Sequence, residues 1–366
     1  MSYINALKRN DNVLVWERVD GKRILRTYDA PYYFYTPSEN GEYRSMRDEK
    51  LERHDFKTAR EFNEGKAQFS AFGAKLYESD IPVELKILSE RYHNAELPKL
   101  NVTFFDIEID YDPERGFSSL EDPYAPVNSI ALYNDWQNRA VILAVPPPEY
   151  DGPTDEATIL RELDKIAAIP TNCKIEIRLF DSERKLLKAF LDEIEESDVL
   201  SGWNSDGFDI PMLGKRLEIL GPSFFNRLSF PEANRPRWKE DEEFGRKIIK
   251  LDISGRVSLD YMAIFRKYEV TERPSYSLEA ISDEILVDEN KEPILPKLEY
   301  EGSLADLYHK NFIYFLRYNL RDDEVLMGFE EVLGYVELSN IFVHQSTGLF
   351  KQITGTIKLS EMSVLN

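Results

Sequence analysis

The chain has one cysteine, Cys173, in 366 residues. No internal disulfide can form, which suits a reducing compartment. Four histidines and no Cys-x-x-Cys pair leave too few donors for a structural zinc site. No apolar run approaches the ~20 residues that cross a bilayer. The first residues, Met1 to Ala6, lack the apolar core of a secretory signal. Basic charge is also short: 46 Lys and Arg stand against 67 Asp and Glu, a formal net charge of -21. Taken alone, that argues against a nonspecific nucleic-acid coat, which needs a net basic surface. It leaves room for an enzyme with a local basic path and cations in its site. Most of the negative charge is expected to serve solubility. No internal repeat or low-complexity tract is present.

What is present is an ordinary globular composition, 42% hydrophobic and 12% aromatic, in a chain long enough for two domains. Residues 1–100 read as a smaller α+β unit. Asn12–Arg18 and Arg23–Tyr28 form a hairpin pattern turned at Gly21, and Tyr32-Tyr33-Phe34-Tyr35 is strand-like. Segments 58–65 and 83–92 read as helices, and Pro98 closes the unit. From 101 to 335 strands alternate with helices, the signature of an α/β fold with a mixed sheet and flanking helices. Strands are expected at Asn101–Ile109, Asn128–Asn134, Arg139–Val145, Lys174–Phe180 and Val199–Trp203. Helices are expected at Thr158–Ile169, Ser182–Glu196, from Asp209 to a stop at Gly221, Ser277–Leu286, and as one long element from Leu304 to about Leu333. The 336–366 tail is expected to return to the first unit.

Three short segments carry chemistry. In Phe104-Phe105-Asp106-Ile107-Glu108-Ile109, strand alternation puts Asp106 and Glu108 on one face and the isoleucines on the other. Both carboxylates lie where the strand leaves the sheet, where open α/β folds place their sites. Asp110 and Asp112 continue the alternation, so a solvated strand face is the bland alternative. In Trp203-Asn204-Ser205-Asp206-Gly207-Phe208-Asp209-Ile210-Pro211, Asp209 fits a helix N-cap, and Asp206 competes with it as a ligand. In Tyr318-Asn319-Leu320-Arg321-Asp322, Tyr318 and Asp322 share a helix face at i, i+4. Asp323 and Glu324 lie roughly 100° and 200° further round. Acidic groups at the edges of apolar elements repel and resist desolvation unless a cation neutralises them. The economical explanation is a divalent-metal site, and its economical use is cutting a phosphodiester.

The order and spacing of these segments resemble the N-terminal and 3′→5′ exonuclease domains of family B DNA polymerases, the replicative enzymes of tailed phages above all. Ser258-Leu259-Asp260-Tyr261 and Pro274-Ser275-Tyr276-Ser277-Leu278-Glu279 add to the likeness. The resemblance implies a ribonuclease H-like fold and proofreading hydrolysis of the 3′-terminal phosphodiester of single-stranded DNA by two Mg²⁺ ions roughly 4 Å apart, with Mn²⁺ able to substitute. By resemblance Asp106 bridges the ions. Glu108 and Asp322 hold the one that activates water, Asp209 serves the other, Tyr318 orients the attacking water, and Lys297 supports. Asn204, Phe208 and Phe117 are candidate DNA contacts. So are Arg246 and Lys247, in a hairpin pattern within Arg227–Arg256, where eight basic residues stand against six acidic ones.

The polymerase motifs of that family are absent: there is no Ser-Leu-Tyr-Pro-Ser, no Lys-x-x-x-Asn-Ser-x-Tyr-Gly and no Asp-Thr-Asp-Ser. The chain is therefore expected to be a piece of a longer polymerase or the front half of a split one. Its partners would be a frayed primer 3′ end and the palm, fingers and thumb. Its place would be the cytoplasm of a phage-infected bacterial cell, with no membrane contact. Two rivals remain at this level: a single-strand-binding or partner-docking fragment with little activity alone, and a stand-alone nuclease acting on RNA.

Overall fold

A computed structural model describes residues 2–112, 114–169, 172–243, 246–296, 298, 300–355 and 357–365; at 241–243, 246–248, 357, 358 and 365 it describes the backbone alone. Two compact units result, one of residues 1–99 with 340–366 and one of residues 100–339.

The first unit holds two three-stranded antiparallel sheets. β1 (Ser2–Arg9), β2 (Asn12–Val19) and β3 (Lys22–Asp29) pair in that order; β4 (Tyr32–Pro37), β5 (Tyr43–Arg44) and β6 (Lys50–Phe56) pair in the order β4-β6-β5. Their apolar faces bury Tyr3, Val13, Val15, Trp16 and Phe34. Helices α1 (Ala59–Ala71) and α2 (Val83–Tyr92) complete this part. Thr58 caps α1 by accepting the Glu61 N–H. The tail is helical over Tyr335–Gln345 and Ile357–Leu365.

The second unit is built on a six-stranded mixed sheet. Its strands are β7 (Val102–Ile109), β8 (Val127–Asn134), β9 (Arg139–Ala144), β10 (Lys174–Leu179), β11 (Val199–Ser201) and β14 (Val257–Ser258), in the order β10-β9-β8-β7-β11-β14. β7 pairs antiparallel with β8 and parallel with β11, so its backbone is bonded on both sides. The intervening β12 (Arg237–Glu243) and β13 (Arg246–Asp252) form a separate antiparallel ribbon. The helices are α3 (Glu156–Ile166), α4 (Glu183–Glu193), α5 (Asp209–Leu220), α6 (Pro222–Phe225), α7 (Tyr261–Tyr268), α8 (Leu278–Ile285), α9 (Leu304–Lys310) and α10 (Phe312–Leu333).

Side-chain alternation sorts the sheet into two cores. Phe105, Ile107, Val141 and Leu143 pack with Leu186, Leu187, Phe190 and Leu191 of α4 and Leu213 and Leu217 of α5. Ala140, Ile142, Ala144 and Ile177 pack on the other face with Ile159 and Leu163 of α3, Leu307 of α9, and Phe315, Leu316 and Leu320 of α10. Phe190 is fully buried, with its ring 6.0 Å from that of Phe105. Phe190→Ala is expected to destabilise the protein by about 3–5 kcal/mol through lost transfer energy and the cavity left behind. A denaturant melt checks this; an unchanged midpoint would mean that α4 does not anchor the sheet.

Two expectations need correcting. The long helix from Leu304 to Leu333 is two helices. Asn311 ends α9 in a non-helical conformation (φ −149°, ψ 74°), and its side chain accepts the Tyr314 N–H to start α10. Apolar spacing runs through the break, because both helices cover the same face of the sheet. Asp209 does not cap its helix. Phe208 occupies the cap position without a side-chain bond, and Asp209 lies inside the first turn with its carboxylate turned to β7.

A candidate metal centre at the exit of β7

β7 delivers Asp106 and Glu108 on the face opposite Phe105 and Ile107, as strand alternation requires. The facing element is α10, which brings Asp322. One oxygen each of Asp106, Glu108 and Asp322 lies within 4.8 Å of the others, and all three side chains are partly exposed. Asp209 approaches from the β11 side: its Oδ1 accepts the Ile107 N–H at 3.3 Å, and its side chain is buried. Gly202 makes this approach feasible. A Cβ there would stand 2.7 Å from the Phe105 carbonyl oxygen, so only glycine lets the backbone after β11 run so close to β7.

The cluster is electrostatically strained. Burial, then the charges of Asp106, Asp322 and Asp209, push Glu108 well above the usual carboxylate range. Burial and Asp106 do the same to Asp209. Asp106 is pushed up to about 7 by burial, opposed by a hydrogen bond from Asn319. Burial, followed by Asp322, Glu108 and Asp106, raises the Tyr318 phenol, which therefore stays protonated at neutral pH. Groups of one sign crowded in this way favour a bound cation, and an all-oxygen donor set suits a hard divalent ion.

The remaining residues singled out from the sequence divide. Asp206 is not in the cluster: its carboxylate accepts the Ser258 hydroxyl at 2.6 Å, and its N–H donates to Asp260 at 3.1 Å. Asp260, which also caps α7 through the Ala263 N–H, thus holds the turn before α5; burial and Asp206 push it up to about 6. Asn204 is exposed, in the left-handed region (φ 62°), with its side chain over Gly207. Phe117 is 86% exposed and Phe208 37% exposed, so neither is a core ring. Phe117 packs against Tyr111 with ring centres 4.8 Å apart and planes tilted by 40°. Lys297 and the side chains of Arg246 and Lys247 lie outside the described residues. The basic stretch is partly committed elsewhere. Arg256 is 2% exposed and donates to the Ile194 carbonyl. Arg227 pairs with Asp192 at 2.9 Å, and Lys239 with Asp252 at 2.7 Å.

Several residues escaped sequence reasoning. A cavity of about 190 Å³ beside the cluster has Ser277, Leu278, Glu279, Tyr318, Arg321 and Asp322 among its walls; apart from Tyr318 and Asp322 themselves, the Pro274–Glu279 likeness was its signal. Arg317, fully buried, donates to the Ala167 and Ala168 carbonyls and to Glu324, each at 3.0 Å. Arg321 pairs with Glu324 at 2.9 Å. Asp323 is buried with neither oxygen hydrogen-bonded, and burial and Asp106 raise its pKa.

A carboxylate cluster able to hold a cation, at the edge of a helix-flanked mixed sheet, fits a nuclease domain, and the comparisons with known proteins agree. Residues 65–281 match the family described as DNA polymerase family B, exonuclease domain; that is more than half of the chain, and the chain belongs to this family. It is similar to the DNA-directed DNA polymerase of Escherichia phage RB69, 29% identical over 278 residues, or 70% of this chain and 28% of that one. It is also similar to the DNA-directed DNA polymerase of Enterobacteria phage T4, 26% identical over 190 residues, or 51% and 20%. DNA polymerase 1 of Aeropyrum pernix is 26% identical over 241 residues, or 63% and 21%. The chain thus spans between a fifth and three tenths of these relatives. Asp322 lies beyond the matched segment, so its membership of the site stands on geometry. Among the described residues, no helix is long and apolar enough to cross a membrane.

Proposed function

We propose that this chain hydrolyses the 3′-terminal phosphodiester of single-stranded DNA, as the proofreading part of a family B DNA polymerase. The observation that carries this reading is the convergence of Asp106, Glu108 and Asp322 within 4.8 Å. When bound, two divalent cations, Mg²⁺ by preference and Mn²⁺ in its place, supply Lewis acidity for the attacking water and the leaving 3′-oxygen. Asp106, Glu108 and Asp322 would hold them, and Asp209, whose charge also acts on Glu108, would add the fourth carboxylate. Tyr318, kept protonated by its surroundings, orients the attacking water with its hydroxyl. The cavity beside Tyr318 and Asp322 receives the terminal nucleotide. Phe117 and Phe208, exposed aromatic rings, stack on nearby bases, while Asn204, Arg246 and Lys247 contact the strand and Lys297 supports the site.

Residues 100–339 carry the chemistry, and residues 1–99 with the tail form the N-terminal domain. Palm, fingers and thumb, on this chain's continuation or on another chain, deliver the frayed primer end. The phage relatives support a setting in the cytoplasm of an infected bacterium.

Incubating the chain with a 5′-labelled single-stranded DNA and Mg²⁺ tests the reading. Products should shorten from the 3′ end, EDTA should stop them, and an RNA of the same sequence should survive longer. DNA that is bound but uncut would replace the nuclease with a binding fragment. Tyr318→Phe is expected to slow turnover about 10- to 100-fold, the range of an assisted proton transfer, with Mn²⁺ affinity unchanged. Unaltered turnover would remove Tyr318 from the mechanism.

A further inference from the structure

Beside the three converging carboxylates, two fully buried polar side chains face the site from neighbouring elements. Asn319 of α10 and Ser129 of β8 are both 0% exposed. Ser129 is the register partner of Glu108 across the β7–β8 pair. Its hydroxyl donates to Asn319 Oδ1 at 2.7 Å, and Asn319 Nδ2 donates to Asp106 Oδ2 at 2.9 Å.

The direction of this relay follows from donor chemistry. An ionised carboxylate only accepts hydrogen bonds. With Asp106 ionised, as a ligand to a cation must be, a flipped amide would set two acceptor oxygens 2.9 Å apart, so the NH₂ faces Asp106. Asn319 Oδ1 then faces Ser129, and the hydroxyl has to donate. An amide supplies both a donor toward Asp106 and an acceptor toward Ser129 without adding charge at any pH. The terminal torsion of an aspartate is broad when unconstrained. Here one oxygen is tethered from α10, which sets how the carboxylate faces Glu108 and Asp322.

We infer that Asn319, itself oriented by Ser129, is a positioning residue that fixes the rotation of the Asp106 carboxylate and so sets the affinity of the cluster for its cation. The inference rests on the nuclease reading for its consequence in the reaction, but metal binding reports on it directly.

The experiment is Mn²⁺ binding to the full chain, by calorimetry or loss of the free-ion spin-resonance signal, followed by the Mn²⁺ dependence of single-stranded DNA degradation. Asn319→Ala is expected to lower Mn²⁺ affinity about 10-fold, the low end of the effect of removing a hydrogen-bond partner from a metal ligand. The Mn²⁺ needed for half-maximal rate should rise by the same factor, with the rate at saturating Mn²⁺ little changed. Ser129→Ala should act in the same direction by about threefold, one neutral hydrogen bond's worth. The double variant should bind no more weakly than Asn319→Ala, because Ser129 acts through Asn319.

A folded Asn319→Ala protein with wild-type Mn²⁺ affinity overturns the inference, as do effects of the two substitutions that simply add. Should Asn319→Ala fail to fold, wild-type affinity in Ser129→Ala overturns it instead. A wild-type chain that binds Mn²⁺ but cuts nothing refutes the nuclease reading alone; a weaker-binding Asn319→Ala in that setting still supports the relay. A wild-type chain that binds no Mn²⁺ refutes both.

Discussion

Replacing Asp106 with alanine is expected to abolish Mg²⁺-dependent degradation of single-stranded DNA. Asp106 is the middle member of the site. It shares strand β7 with Glu108, faces Asp322, raises Asp209, and carries the hydrogen bond from Asn319. A bound cation contributes several kcal/mol of charge stabilisation to this kind of reaction. Losing about 4 kcal/mol of it corresponds to roughly a thousandfold in rate. Alanine removes a charge from a crowded cluster but leaves the buried Asn319 amide without its acceptor, so the variant's stability is measured beside its activity. A timed gel of a 5′-labelled oligonucleotide, with a thermal melt alongside, measures both. Wild-type activity in the variant would show that the carboxylates are not where the chemistry occurs.

The second large effect is a dependence of stability on cation and pH together. Asp106 has a folded pKa of about 7, above its ordinary value in an unfolded chain. A group raised on folding contributes stability that is fully present below the unfolded pKa and is lost as pH rises through the folded one. Glu108 and Asp209, raised by burial and by neighbouring carboxylates, act in the same sense. Without cations, then, the cluster should cost increasing stability from about pH 4 upward. A cation that binds the ionised cluster reverses the loss. At one hundred times its dissociation constant it stabilises by about 2.7 kcal/mol, which in a unit of this size is roughly 5–10 °C in melting temperature. The rise on adding Mn²⁺ should be large at pH 8 and much smaller at pH 5. An equal rise at both values would place cation binding away from these carboxylates.

The strands that frame the site were legible because each obeys one simple period. Val102 to Ile109 alternates between a buried apolar face and a face that carries Asp106 and Glu108, and no tertiary information is needed to see it. Helical spacing put Tyr318 and Asp322 on one face, and the order of the three motifs, rather than that spacing, singled them out. Asp209 was visible as a residue, but its role in the backbone was not. A carboxylate ahead of a helix reads as a cap, whereas the close passage at Gly202 turns it toward Ile107. Asn311 was hidden because apolar residues continue on both sides of it. Asn319 and Asp323 were visible beside Tyr318 and Asp322 but without a role, and Ser129 could not be recognised at all. Their meaning depends on which strand lies opposite α10, and local pattern does not encode that. A tally of the basic stretch overstates the charge open to a ligand for a related reason: Arg256 counts as positive charge, yet it is buried and bonded to a main-chain carbonyl.

The anchoring of α10 has a consequence of its own. A helix seated only on aliphatic side chains can roll a few degrees at little cost, since grease has no preferred angle. Arg317 denies α10 that freedom by gripping the successive carbonyls of Ala167 and Ala168, while Glu324 of its own helix holds the guanidinium in place. Taking such charges out of water is expensive and adds little to heat resistance. The return is aim: the keyed helix presents its phenol, its amide and its carboxylate to β7 at one fixed azimuth, so accuracy in the cleft is underwritten by a lock on the far side of the helix.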